Sequence, residues 1–216
     1  MIKVIYEDNH LLVVDKEINV PIQEDSSKDR DLLTMAKEYI KEKYQKPGNV
    51  YLGLVHRLDR PVSGVCVFAR TSKAAGRLSK LITDKEFRKE YLAVVFDNGL
   101  EDKGTFKDRL LKDSAANMVR VDPGGKEASL DYEVLKRKDG LALVRIDLHT
   151  GRSHQIRVQF ASRNHPLYGD QRYNRDARPG QQIALHAFEI RFKHPVSGEE
   201  LSFTSKPDRY PFSIYL

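Results

Sequence analysis

A short polar turn, Lys138-Asp139-Gly140, separates two strand-like runs, Ser129 to Leu135 and Leu141 to Leu148, and gives the clearest hairpin signal in the chain. The pattern recurs. Ile2 to Tyr6 and Leu11 to Val14 flank the polar turn Glu7-Asp8-Asn9-His10, and Tyr51 to Val55 leads through a charged turn into the apolar run Gly64 to Ala69. Tyr91 to Phe96, Ile183 to Phe192 and Leu201 to Thr204 are further strands, while residues 97–125 form a polar excursion with one strand near Met118 to Val121.

Helical spacing is confined to a few places. From Asp31, an N-cap, Leu33, Ala36 and Ile40 recur at helical intervals, and the pattern stops before Pro47-Gly48. From Ser72, a stripe of Ala74, Leu78, Leu81 and Ile82 leaves Lys73, Arg77 and Lys80 on other faces. With Arg70, Lys85, Arg88 and Lys89 these form a basic region, read either as a solvated face or as a phosphate contact. A third helix opens near Gly151, capped by Ser153 or Thr150, with Ile156, Phe160 and Ala161 toward a core and Arg157 at the edge of that stripe. Strands outnumber helices and hairpin-length turns join many of them. The expected class is therefore α+β, a mixed, largely antiparallel sheet with flanking helices.

With 216 residues, 40% of them hydrophobic, the chain can build a core, and no repeat or linker demands a division. A single domain over 1–216 is expected. Lys plus Arg exceed Asp plus Glu by 37 − 31 = 6, which favours a polyanionic partner, nucleic acid first. The single cysteine, Cys66, rules out a disulfide framework and reads as a buried structural thiol. No apolar segment approaches membrane-spanning length, and the N-terminus turns acidic before a signal-peptide core forms. A cytoplasmic, monomeric protein is expected. Seven histidines show no i, i+4 pair of the kind a helical zinc site uses, although His56, His149, His154 and His186 could still cluster in space. Glycine-rich nucleotide fingerprints and the Gly-x-Ser-x-Gly elbow are absent, so neither a nucleotide cofactor nor a metal is expected.

The segment Val55-His56-Arg57-Leu58-Asp59-Arg60-Pro61-Val62-Ser63-Gly64 carries more charge than a structural turn needs. Pro61 biases Arg60 toward an extended conformation, which puts Asp59 at a strand end, and Arg57, two residues earlier, projects to the same side if the segment is extended. Local pattern alone leaves Asp59 either a turn aspartate or a functional one.

Further residues add to this. His56-Arg57-Leu58-Asp59 with Ser63-Gly64, Lys89-Glu90-Tyr91-Leu92-Ala93, Thr150-Gly151-Arg152-Ser153-His154-Gln155-Ile156-Arg157, His165-Pro166 with Gly169-Asp170, and Leu185-His186-Ala187 resemble the ordered motifs of RluA-type pseudouridine synthases. Gly125-Lys126-Glu127-Ala128 and His194-Pro195-Val196-Ser197-Gly198-Glu199 match weaker patterns of the same family. The resemblance spans almost the whole chain and corresponds to the family form without an N-terminal S4-like RNA-binding domain.

What the resemblance implies is an isomerase with a central RNA-binding cleft. In structured RNA, ribosomal or transfer, the glycosidic bond to N1 of a uridine breaks, the uracil turns, and the sugar carbon rejoins at C5. Neither cofactor nor metal enters. By the same resemblance the catalytic set is Asp59, Tyr91 and Arg157. Asp59, ionised, acts as nucleophile at C1′ or removes a sugar proton; Arg157 holds and orients it; Tyr91 packs on a uracil extruded from its stack. Arg57 enters the gap the base leaves, or makes a phosphate contact or an ordinary salt bridge. His56 and His154 orient neighbours by hydrogen bonds, and Leu185 lines the uracil pocket. Arg152 joins His56, Arg57 and Leu185 as an RNA-binding residue. Periodicity alone would give Tyr91 to strand packing. The chain departs from the family where Val62 replaces a Thr, where Lys16-Glu17-Ile18-Asn19 stands for a Lys-Pro-x-Gly pattern, and where Gln159 replaces a His. A non-catalytic RNA-binding module on the same fold is the alternative, and a metal-dependent hydrolase built on Asp59 and the histidines is a third.

Overall fold

The computed structural model describes residues 2–216, which fall into two compact units. Residues 1–88 and 187–206 make the first unit; residues 89–186 and 207–216 make the second. The chain therefore leaves the first unit, builds most of the second, returns, and crosses again.

In the first unit β1 (Lys3–Glu7) pairs antiparallel with β2 (Leu11–Lys16), and β2 pairs with β4 (Ser63–Ala69) from Leu11↔Ala69 to Lys16↔Gly64. β4 neighbours β10 (Leu185–Lys193, its first two residues in the second unit), which carries β11 (Glu200–Thr204) on antiparallel pairs from Glu189↔Thr204 to Lys193↔Glu200. Leu11 to Val14 and Val65 to Ala69 are buried on both faces of their strands, which is why both segments read as unbroken apolar runs. Cys66 lies among them, fully buried, and burial pushes its thiol up to about 12.

Helix α1 (Leu32–Lys43) starts at the expected cap: the Asp31 carboxylate accepts the Thr34 N–H at 3.0 Å. Its buried stripe is Leu32, Ala36 and Ile40, so the inward residue of the first turn is Leu32 and not Leu33. Helix α2 (Ser72–Thr83) is capped by Thr71, and Ala74 and Leu78 pack with Leu11, Val67 and Phe192, while Leu81 and Ile82 cover the edge of that cluster. Phe87 stacks on Phe192 at 4.8 Å between ring centroids. The strand expected over 51–55 shrinks to β3 (Gly53–Leu54), which pairs with the far end of β4, Leu54 opposite Phe68.

The second unit is a sheet in the order β5-β9-β8-β6-β7, made of β5 (Arg88–Phe96, its first residue in the first unit), β6 (Lys103–Asp113), β7 (Met118–Val121), β8 (Lys126–Lys138) and β9 (Leu141–Leu148). The β8–β9 turn holds Asp139 at φ 53° and Gly140 at φ 73°, as the Asp-Gly pair requires. β6 lay hidden in the polar excursion. Only Phe106 and Leu110 of its eleven residues are buried, so its alternation is too sparse to stand out. Helix α3 (Gln155–Ala161) packs Val158 against Leu110, Val119 and Ala128, and Phe160 meets Phe106 and Tyr132 edge-on. Neither Ser153 nor Thr150 caps α3. His154 occupies that position at φ 51° without a side-chain cap, and Thr150 donates instead to the Gln155 Oε1 at 2.7 Å. A one-turn 3-10 helix (Phe212–Ile214) ends the second unit. The mixed sheets with few helices are α+β, as expected from the sequence.

Candidate active site

The loop from Val55 to Val62 carries Asp59, and the first unit holds it in several ways. The Val62 N–H donates to the Asp59 carbonyl at 3.0 Å, closing a turn over Arg60-Pro61. Lys16 is 1% exposed, and its ammonium donates to the carbonyls of Glu17, Arg60 and Val62 at 2.9, 2.9 and 2.7 Å. A buried ammonium is costly unless its protons are used, and this one uses its protons to grip the turn that follows Asp59. Arg60 adds an ion-paired tether to Asp29 and Asp25 and donates to the Ser27 hydroxyl at 2.8 Å. Downstream, Gly64 has φ 115°, and a Cβ there would stand 2.2 Å from the Ala187 carbonyl oxygen. Asp59 itself is half-buried, between buried Leu58 and buried Val62.

His56 has a local job. Its Nε2 accepts the Val67 N–H at 3.1 Å, extending the pairing of β4 beyond the short β3, and its ring lies 5.6 Å from Phe87. Arg57 is exposed. Because residues 55–62 form a loop and not a strand, the alternation that would put Arg57 and Asp59 on one side does not apply.

The remaining candidates belong to the second unit. Tyr91 lies in β5 opposite Ile146 and is 7% exposed. Leu185, at the start of β10, is buried. Arg152 is exposed and donates from Nε to the Glu127 carbonyl at 2.9 Å. Arg157 is buried in α3, and its Nε and Nη2 donate to the two carboxylate oxygens of Asp170 at 2.8 and 2.6 Å. This is a two-point guanidinium–carboxylate pair, the geometry lysine cannot reproduce. The Arg157 Cζ lies 5.2 Å from the centroid of the Tyr173 ring. Tyr173 in turn accepts the Val119 N–H at 2.8 Å and lies 2.8 Å from the Nδ1 of His154. The Tyr173 hydroxyl thus joins β7 to the start of α3.

Several sequence expectations change at this level. Part of the basic region is engaged within the fold: Arg70 pairs with Glu7 at 2.9 Å and Arg77 donates to the Pro195 carbonyl at 2.6 Å, while Lys80 pairs with Asp84 at the surface at 2.5 Å. Burial also lowers the Lys89 ammonium from its ordinary pKa. The histidines named as a potential cluster have separate partners: Val67 for His56, Asp131 for His149, Tyr173 for His154 and the Phe212 ring for His186. Among the described residues no group of at least three His, Cys, Asp or Glu is arranged to hold a metal ion, and no helix is long and apolar enough to cross a membrane. Gln159, in place of the family's His, is fully buried and donates to Asp108 at 2.7 Å. Sequence reasoning gave no role to Lys16 or Tyr173. For Lys16 the sole clue was an imperfect Lys-Pro-x-Gly pattern; for Tyr173 there was none.

A sequence profile described as RNA pseudouridylate synthase matches residues 10–162. An "Uncharacterized RNA pseudouridine synthase YhcT" of Bacillus subtilis (strain 168) is 34% identical over 91% of this chain and 65% of its own length. A "Ribosomal large subunit pseudouridine synthase C" of Buchnera aphidicola subsp. Acyrthosiphon pisum (strain APS) is 30% identical over 99% of this chain and 69% of its own. The chain thus spans about two thirds of the length of these curated relatives. Among solved structures, Human RNA Pseudouridylate Synthase Domain Containing 1 superposes with a TM-score of 0.77 at 26% identity, covering 98% of this chain and 85% of that one. With motifs, fold and relatives in agreement, the chain belongs to the RNA pseudouridylate synthase family, whose members are isomerases that convert uridine to pseudouridine in RNA.

Proposed function

We propose that this protein is an RNA pseudouridine synthase that isomerises specific uridines in ribosomal or transfer RNA, with Asp59 as its catalytic aspartate. The observation that carries the reading is the extent of the family match, residues 10–162, which takes in Asp59, Tyr91 and Arg157 together. In this reading the two units form one catalytic domain over 1–216, a view supported by the way the chain interleaves them. The protein acts as a cytoplasmic monomer without cofactor or metal. Large-subunit ribosomal RNA is the first substrate to try, because several relatives carry that substrate in their names.

The chemistry requires an ionised carboxylate aimed at the sugar of an extruded uridine. The grip of Lys16 and Arg60 on the surrounding loop suits that requirement, since a loop held at several points keeps its side chain aimed without reorganisation. Tyr91 offers the flipped base a ring, Arg157 a fixed positive charge, and His56, Arg57, Arg152 and Leu185 complete the contacts to RNA.

The test is tritium release from RNA transcribed with C5-tritiated uridine. Wild-type protein should release tritium from ribosomal or transfer RNA. Asp59→Asn, the same in shape but unable to ionise, should bind the RNA within about threefold of wild type and release tritium at least about 10³-fold more slowly. Undiminished release by Asp59→Asn would overturn its role. Tight RNA binding without release by the wild type would favour a non-catalytic RNA-binding module.

A further inference from the structure

The Arg157–Asp170 pair is unusual for its cost. The two side chains are 7% and 0% exposed, and charges so deeply buried contribute little net stability compared with apolar residues of the same size. The surrounding chain nonetheless invests heavily in keeping the pair in one geometry. The Asp170 Oδ1 also accepts the N–H groups of Arg172 and Tyr173 at 3.0 and 3.3 Å, and its carbonyl accepts the Asn174 N–H at 2.8 Å. Immediately before it, Gly169 takes φ 70° with the Gln182 carbonyl oxygen 2.2 Å from where a Cβ would stand, so no side chain fits at this position.

Tyr173 supplies the second constraint. Its ring faces the guanidinium at 5.2 Å, and its hydroxyl is fixed at both sides, by the Val119 N–H of β7 and by His154 at the mouth of α3. Burial raises the Tyr173 pKa above its ordinary value, so the hydroxyl stays protonated and this connection is retained at neutral pH. An aromatic face fixes the height of the guanidinium plane; a two-point carboxylate fixes its rotation within that plane.

We propose that Asp170 and Tyr173 are positioning residues of the reaction, acting through Arg157 by locking the plane and the rotation of its guanidinium inside the second unit. The inference rests on the functional reading above and extends it to two residues outside the catalytic set named there. Asp170 engages Nε and Nη2 and thereby dictates which way the Nη1 edge faces. A structural staple would need only to be present, whereas a positioning device must also keep its angle.

Three measurements separate these cases. The first is tritium release at saturating and limiting RNA. Asp170→Asn keeps shape but loses charge, and kcat should fall by up to about 100-fold while KM and RNA affinity stay within about twofold. Second, Arg157→Ala combined with Asp170→Asn should be no slower than Arg157→Ala alone, within about twofold, because Asp170 acts only through Arg157. Multiplied losses in the double variant, or a loss confined to melting temperature and RNA binding, would overturn the proposal. Third, exchange of the Arg157 Nε–H, followed by NMR without any substrate, should be slow in the wild type and fast in Asp170→Asn; slow exchange in both would overturn it whatever the activity. Should Asp170→Asn fail to fold, Tyr173→Leu, which removes the ring and leaves the ion pair, must show the same split of kcat from KM. A wild-type protein that releases no tritium from any RNA refutes the function and the positioning role together, yet the exchange measurement still shows whether the clamp itself exists.

Discussion

Gly64 is where a single residue carries most of the geometry. At φ 115° the backbone adopts a conformation that L side chains rarely reach, and the atom nearest a new Cβ is a backbone carbonyl of β10, 2.2 Å away, which cannot turn aside as a side-chain end would. Strain of this kind costs about 1–3 kcal/mol before the clash is counted. Gly64→Ala should therefore lower the urea midpoint sharply and reduce activity through the neighbouring Asp59 loop; an unchanged midpoint would mean that Ala187 yields. The sequence marked Gly64 as turn chemistry but gave no sign of what it approached, since Ala187 lies 123 positions away by the numbering (187 − 64). Lys16 was obscure for the same reason. A lysine at the end of an apolar strand looks like a surface residue until the carbonyls of Arg60 and Val62 are brought to it.

Among the elements, α1 shows how a helix is fastened by one carboxylate. Glu7, in β1, accepts Tyr44 and Arg70 on Oε1 at 2.7 and 2.9 Å and Tyr39 and Lys43 on Oε2 at 2.9 and 2.7 Å. Burial alone would push its pKa up, but the hydrogen bonds from Lys43, Tyr44 and Tyr39 outweigh it and hold the carboxyl below its ordinary value. A folded-state pKa below the unfolded one means that this stabilisation is complete above the unfolded carboxylate value and is lost as pH falls through the folded one. Glu7→Gln should cost about 3 kcal/mol at pH 7. It should also flatten the fall in stability toward acid, as read by urea unfolding between pH 7 and pH 3; an acid limb as steep as that of the wild type would remove Glu7 from this role. Periodicity located the starts of α1 and α2 within a residue, while α1 stops at Lys43, short of the Pro47-Gly48 break that the sequence offered as its end. It missed β6, whose exposed positions Lys103, Thr105, Lys107 and Arg109 dilute the signal, and it stretched β3, whose pairing ends where His56 takes over the next β4 N–H. Thr150, one of the two expected caps of α3, fails for a local reason: its hydroxyl accepts the Ser129 N–H and donates to the Gln155 Oε1, so it does not serve the helix end.

At the scale of the molecule, the α+β class and the family were legible because hairpin turns and ordered motifs are local signals that survive without coordinates. The partition into two interleaved units was not, since no linker marks it. Cys66 gives a probe of how the first unit opens. With the thiol fully buried and its pKa pushed up to about 12, native protein at pH 8 should react with an alkylating reagent at least about 10³-fold more slowly than the same chain in urea. Reaction at the unfolded rate in native buffer would mean that β2 and β4 part far more readily than their burial suggests.

The interleaving also has a consequence for the order in which the protein is made. The first unit lacks β10 and β11 until residue 206 has been added, by which time residues 89–186, most of the second unit, have already been synthesised. β4 is therefore synthesised long before its neighbour β10, and Gly64, beside the Asp59 loop, long before the Ala187 backbone that packs against it.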